Sequence, residues 1–425
     1  MDRQPEPGIL AATTASVASP VGRGITFDDI EELGARLESI QGEWKREVAA
    51  PSGVKQAPSF NATQLAELCG KTPDQMATLL KKAAEWGLPD GGEGRTRNFT
   101  LAEARQWIQK VEPRPRRPEG APGATVCVCN FKGGVGKTVI SVAVAQALSL
   151  RGYKVLCIDF DPQGSLTSVL GIDPTSVDET ETVLVLTAPK TYDYASETLQ
   201  TCIRSTYWDG IDLVPGNHGL FSGEFYLPLR QTTAHKNEPG FKFYEVLDKA
   251  LDSGIREEYD YIIIDTPPAL SYMTLTTFWA ADALLLPLPP DGIDFASSAQ
   301  FWSMLAEIAS TTEAPERRGQ DGKKTFSWVR VVPSKVNHAT MHTKDMMDMM
   351  KLGYQDMLAS TEIPETAAVR VGGARMESVY DISKYIGDRR TLLRARQAYD
   401  KLVDEIDFLT HKTVWGSAAL NGGAA

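Results

Sequence analysis

The chain has 425 residues, 42% of them hydrophobic, with 44 Lys plus Arg against 55 Asp plus Glu and a formal net charge of −11. That length admits two or three domains, and no apolar run approaches the roughly 18 residues of a membrane span. Five cysteines (Cys69, Cys127, Cys129, Cys157, Cys202) make an odd set without a C-x-x-C pair, which points to a reducing cytoplasm and away from a zinc or disulfide framework.

Residues 1–24 lack the basic start and apolar core of a secretory signal and read as a disordered lead. Residues 25–50 read as an amphipathic helix: Thr26 caps it with Asp29, and Ile30, Leu33, Leu37, Ile40 and Trp44 recur at alternating spacings of three and four. Two readings of that seam stand side by side, a self-pairing helix that builds a dimer and a helix packed on its own domain.

Residues 51–111 form a small helical unit. Asn61 or Thr63 starts one helix, Cys69-Gly70-Lys71 turns the chain, and Thr72, Pro73 and Gln75 begin a second helix that runs to Gly87. The second helix buries Met76, Leu79, Leu80 and Ala83 and leaves Asp74, Gln75, Thr78, Lys81 and Lys82 on its other face. The stretch from Asp90 to Arg97 forms a wing carrying Arg95 and Arg97, and Thr100 with Glu103 caps a closing helix. Helix, tight glycine turn, helix is the helix-turn-helix pattern, which serves both DNA and protein recognition. Between Val54 and Arg117 there are 11 Lys plus Arg and 7 Asp plus Glu, a local balance of +4 in an acidic chain, so groups that contact phosphates are available. The unit resembles the MerR-like winged helix at the N-terminus of large ParA and RepA proteins. The resemblance makes Gln75, Thr78, Lys81, Lys82, Arg95 and Arg97 the expected DNA contacts. Residues 112–124, with four prolines and three arginines, read as an extended linker.

From residue 125 a β-branched run feeds the loop KGGVGKT and a helix that Gly152 stops. Gly133, Gly134 and Gly136 let backbone N–H groups converge on phosphate oxygens at a helix N-terminus; Val135 and Val139 complete the loop. Lys137 brings charge to the terminal phosphates, and the Thr138 hydroxyl suits Mg²⁺. The second lysine, Lys132, makes the loop resemble the deviant Walker A ATPases, the family of ParA, MinD and the nitrogenase iron protein. That resemblance implies a nucleotide-sandwich dimer in which Lys132 reaches the partner's phosphates. Alone, Lys132 would simply be a solvated lysine.

Asp159 and Asp161 end the next apolar run, in text that resembles the family's switch I. The resemblance gives Asp161 the attacking water and Asp159 a supporting role at Mg²⁺. Asp265 ends the strand of YDYIIIDTPP, where the family places the Walker B carboxylate, and Pro267-Pro268 fixes switch II. The segment from Gly219 to Pro239 shows no pattern. A strand from Trp328 leads to Lys335 and Asn337, candidates for contact with adenine. Five methionines between Met341 and Met350 lie at helical spacing and read as core or interface. Arg370 matches a family arginine associated with nonspecific DNA, and Arg375 and Arg390 continue a basic stretch. Residues 413–425 read as a disordered tail, without the basic amphipathic helix that tethers a MinD to membrane.

Alternating strands and helices over 125–412 predict an α/β P-loop NTPase with a mostly parallel, doubly wound sheet. The resemblance, closest to RepA-type partition ATPases, implies a cytoplasmic, nucleoid-associated homodimer using ATP and Mg²⁺. Its expected partners are DNA and a ParB-type protein. A nucleotide-switched repressor and a positioner of protein cargo are the alternatives; an electron-transferring reductase would need cluster cysteines after the switches, which this sequence does not supply.

Overall fold

The computed structural model describes residues 26–48, 55–92, 97–111, 114–311, 324–366, 377–382 and 389–416. Two compact units divide at Val54. The lead 1–24, Arg95, Arg370 and Arg375 lie outside the described residues.

Among the described residues, the first unit contains one helix, α1 (Phe27–Val48). Its cap is the predicted pair, with the Asp29 N–H donating to Thr26 Oγ1 (3.3 Å) and the Thr26 N–H to Asp29 Oδ2 (2.8 Å). Phe27, Ile30, Leu33, Leu37 and Ile40 are all exposed along it.

The second unit begins with a helical module. In α2 (Ala62–Leu68) and α3 (Pro73–Leu80), the side chains of Asn61 and Thr72 each close a capping box with a glutamine three residues on. The helix expected to continue to Gly87 instead breaks at Lys81-Lys82. A short α4 (Ala83–Trp86) then ends at Gly87, whose φ of 65° only glycine adopts readily. Strands β1 (Phe60–Asn61) and β2 (Asn98–Phe99) pair antiparallel, and α5 (Leu101–Val111) closes the module. Leu65, Met76, Leu80, Phe99, Trp107 and Ile108 form its core.

The remainder is a seven-stranded sheet. Strands β3 (Ala124–Val128), β4 (Val155–Asp159), β6 (Ile211–Val214), β7 (Tyr261–Asp265), β8 (Ala283–Leu288) and β9 (Trp328–Pro333) run parallel. An edge strand β5 (Arg204–Ser205) pairs antiparallel with β6, giving the order 5-6-4-7-3-8-9. Alternation along each strand sends residues to opposite faces. Val126, Val128, Cys157 and Ile263 enter one core, and Cys127, Ile158 and Ile264 enter others. The first face is covered by α6 (Lys137–Ser149) and α12 (Arg389–Leu409). Elsewhere the fold adds α7 (Ser165–Val169), α8 (Gly223–Asn237), α9 (Tyr272–Ala280), α10 (Gly292–Thr311) and α11 (Met341–Tyr354). Helix α8 occupies the segment that showed no pattern. In α11, Met346, Met347 and Met350 are buried while Met341 and Met349 are exposed.

Two expectations change. Residues Thr413–Trp415 are not tail: a π turn continues α12, and Trp415 is fully buried against Tyr153 and Tyr261, its Nε1 donating to Pro122 O at 3.0 Å. The stretch read as an extended linker is bound into the fold by its arginines. Arg117 donates to the carbonyls of Ala121, Arg256 and Glu257, and Arg116 to that of Arg151. Replacing Trp415 with alanine removes a fully enclosed indole. The Trp415→Ala chain is therefore expected to lose about 3–5 kcal/mol in urea unfolding, where an unpacked tail would lose nothing.

Candidate functional site

Strand register builds the site. In the parallel pairs, Asp159 of β4 lies opposite Asp265 of β7, and Val128 of β3 opposite the same Asp265. Three strands thus end level at one carboxyl edge, with the glycine loop following β3 and the two carboxylates beside it. Gly134 and Gly136 have φ of 75° and 101°, conformations that side chains disfavour.

Both carboxylates are fully buried. Asp159 accepts from the Thr167 N–H (2.9 Å), the Thr167 hydroxyl (2.7 Å) and the Asp161 N–H (3.1 Å). Burial first, and the neighbouring Asp265 second, push its pKa up to about 7 against those bonds. Asp265 accepts from the hydroxyls of Thr138 (2.7 Å) and Ser141 (2.8 Å). Burial raises its pKa to about 6, opposed by the two hydroxyls and Lys137 and reinforced by Asp161. Lys137 donates to the Lys132 carbonyl at 3.1 Å; burial lowers its pKa, against the pull of Asp265 and Asp161.

Lys132 is not simply solvated, for its ammonium contacts the Asp294 carboxylate on α10. Asp161 sits half-buried at the mouth, its carboxylate accepting the Gln163 N–H at 2.9 Å. The stretch that follows Pro267-Pro268 is tied to α8, where Glu224 accepts the N–H groups of Tyr272 (3.1 Å) and Met273 (3.2 Å) at the start of α9.

Beside the loop lies a cavity of about 340 Å³ lined by Val135, Gly136, Val139, Ile140, Ser334, Lys335, residues Ile363 to Thr366, and Tyr399. Lys335 is therefore at the site, in a left-handed conformation (φ 52°). Asn337 is absent from the lining and accepts the Ala339 N–H instead. The wall from Ile363 to Thr366 was not predicted. A bridge between Val336 and Pro364 places it there, a pairing that short-range patterns do not reveal.

The donor set suits a small hard cation: one hydroxyl, one carboxylate directly beside it and a second carboxylate behind. Among the described residues no trio of Asp, Glu, His or Cys forms a closed metal cage. Mg²⁺ keeps waters and takes ligands from bound phosphates, so a hydroxyl and a carboxylate from the protein suffice for it. In the helical module Gln75, Thr78, Lys81 and Lys82 are exposed and Arg97 is half-buried; Arg390, far from them in sequence, is exposed on α12.

Residues 123–315 match the family model described as an AAA domain. The chain is 27% identical over 408 residues to a protein provisionally named replication protein A from Rhizobium rhizogenes, covering 94% of this chain and 98% of that one. It is 28% identical over 291 residues to Protein SopA of Escherichia coli strain K12, covering 67% and 69%. A solved structure named Partition Protein shares the fold, with a TM-score of 0.60 at 18% identity over 90% of this chain and 98% of that one. Among the described residues no helix is long and apolar enough to cross a membrane.

A carboxyl whose pKa is raised on folding stabilises the fold below its unfolded pKa and loses that contribution as pH rises through the folded value. For Asp265 the window runs from the ordinary carboxyl value near 3.8 to about 6. In metal-free, nucleotide-free protein, Asp265→Asn should gain about 1–3 kcal/mol on wild type between pH 4.5 and pH 7.5. Urea midpoints at the two pH values check this, and an equal offset at both would show that the carboxylate carries no burial cost.

Proposed function

We propose that this chain, a P-loop protein of the ParA and RepA type, is an ATP-hydrolysing DNA partition protein that binds nonspecific DNA as an ATP-bound dimer. The observation that carries the reading is the meeting, at one sheet edge, of two loop lysines, the Thr138–Asp265 pair and a half-buried Asp161. Loop N–H groups and Lys137 hold the phosphates of ATP; Thr138 and Asp265 hold Mg²⁺, with Asp159 supporting the site from behind. The ion, when bound, would neutralise charge on the phosphates. Asp161 orients the attacking water. The cavity beside Lys335 takes the base, and Tyr399 and Ile363 shield it.

Lys132 has two addresses in this reading. In the single chain it is held by Asp294, and in the dimer it leaves that carboxylate for the partner's phosphates. A cation supplied in trans in this way is worth roughly 10³ to 10⁵ in rate where an arginine does it. Nonspecific DNA affinity is expected at roughly 10⁻⁴ to 10⁻⁶ M at physiological salt. DNA and a ParB-type partner accelerate a weak intrinsic hydrolysis, and the protein works on the nucleoid in the cytoplasm. The module of residues 51–111 binds an operator through Gln75, Thr78, Lys81, Lys82, Arg95 and Arg97 and represses the chain's own operon. Arg370, Arg375 and Arg390 belong to the nonspecific DNA surface. The exposed seam of α1 supplies a second, nucleotide-independent pairing surface.

Light scattering separates the two dimer contacts. Leu33→Asp with Leu37→Asp should give a monomer that still dimerises on adding ATP, and adding Lys132→Ala should stop that step while leaving some ATP binding. If dimerisation persists without Lys132, the trans lysine is wrong. Fluorescence anisotropy of a random-sequence duplex should show binding that needs ATP and weakens steeply with salt. Binding indifferent to nucleotide would favour a repressor or a positioner of protein cargo instead.

A further inference from the structure

Helix α6 begins at the phosphate loop and is buried at every position from Ile140 to Ser149. A helix so enclosed moves as a rod, and the end of its 13 residues lies about 18 Å from its start. The last carbonyls of any helix lack intrahelical donors. Here donors arrive from the N-terminal module. Arg105 of α5, itself buried, gives Nε to Ser149 O (3.1 Å), Nη2 to Tyr153 O (2.8 Å) and Nη1 to the Asp209 carboxylate (2.6 Å). Gln109, one turn along α5, donates to Gly152 O at 3.1 Å, and Arg116 to Arg151 O at 2.5 Å. Cations at a helix C-terminus also meet the negative end of its dipole.

Two glycines make room. Gly210 and Gly152 have φ of 81° and 86°, and a Cβ on either would intrude on the guanidinium of Arg105 or Arg116 respectively. The socket is thus shaped on both sides.

A second connection leaves the site through α7, which follows Asp161. Lys55 donates to the carbonyl of Val169, the last residue of α7, at 2.6 Å and pairs with Asp381 at 3.0 Å. Asp381 accepts from Tyr207 (2.6 Å) and from Gln146 of α6 (3.4 Å). Both helices that run from the loop and from switch I therefore end on residues of the 55–111 module.

We propose that the Arg105 socket, aided by the Lys55 contact, transmits nucleotide occupancy from the phosphate loop to α2 through α4. This rests on the reading that the loop binds ATP. Arg105 is a positioning residue: it meets neither nucleotide nor DNA, and it fixes the module to the far end of α6. A shift of α6 on phosphate binding moves Ser149 O, the acceptor that α6 itself gives to the fork, relative to the Asp209 carboxylate that precedes β6, so the module must turn or lose a charge-assisted bond. By reciprocity, a ligand on the module then changes affinity at the loop.

Hydrogen exchange read by mass spectrometry on the full chain, with and without a non-hydrolysable ATP analogue and Mg²⁺, tests this. Wild type should show slowed exchange at residues 130–140 and an altered rate at 62–86, the latter by roughly 5-fold or more. Arg105→Met should keep the change at 130–140 and reduce that at 62–86 to under about 2-fold. Arg105→Lys keeps a cation at the helix end and guards against a mere folding defect, which thermal melting would report; it too should lose most of the module's response. A module response equal in wild type and Arg105→Lys would overturn the proposal, as would a wild-type module that ignores nucleotide while residues 130–140 respond. If residues 130–140 themselves do not respond, the ATP reading fails and the proposal with it.

Discussion

Two carboxylates forced side by side in the interior are the constraint on which this molecule turns. Parallel register sets Asp159 against Asp265 at the level where β4 and β7 end, and both are sealed from water. Like charges so placed cannot both ionise cheaply. The structure responds by crowding donors around them: Thr138 and Ser141 on one, Thr167 and a backbone N–H on the other, and the Lys137 ammonium nearby. Such a site holds back affinity for a cation. The adjacent loop supplies the other half, a nest of N–H groups suited to anions, so that a metal–phosphate pair satisfies both halves together.

What a chain reveals before folding depends on the range of the interaction. The phosphate loop, the strand-ending aspartates and the caps at Thr26, Asn61, Thr72 and Thr100 are local patterns, each complete within about ten residues, and they were legible. Helix α8 was not, because Pro228 lies inside it and its buried positions, Gly223, Leu227, Arg230 and Ala234, recur at helical spacing but include a glycine and an arginine, so no apolar stripe marks them. The cavity wall from Ile363 to Thr366 escaped for another reason: it reaches the site by bridging Val336 across a gap in sequence. The same holds for the arginines of the proline-rich stretch. Composition marks a linker, and nothing local to Arg116 or Arg117 announces that their acceptors lie on Arg151, Arg256 and Glu257. Trp415 looked like part of a small-residue tail because the tryptophan's partners, Tyr153 and Tyr261, come from the sheet.

Lys132 shows how strength and function can be opposed. Its contact with Asp294 spans 162 positions (294 − 132), beyond any motif, and the lysine side chain remains 35% exposed while the aspartate is 11% exposed. A partly solvated pair of this kind contributes about 0–1 kcal/mol. It is enough to give the side chain a preferred resting place and too little to oppose a bound phosphate, where the same ammonium would meet several anionic oxygens. A buried, fully paired lysine at this position would be the worse switch for the proposed dimer.

The helical module raises the remaining question of independence. By sequence it ends in an extended linker and stands apart; in the fold it shares one compact unit with the sheet. Its core of Leu65, Met76, Phe99, Trp107 and Ile108 is its own, but α5 spends its outward polar side chains, Arg105 and Gln109, on the end of the phosphate-loop helix. Directional bonds from a guanidinium fork hold orientation as well as distance, which apolar contact alone does not. The module is consequently fixed in angle to the helix that begins at the glycine loop. An arrangement meant only to carry a recognition helix at the end of a tether would have no use for that rigidity.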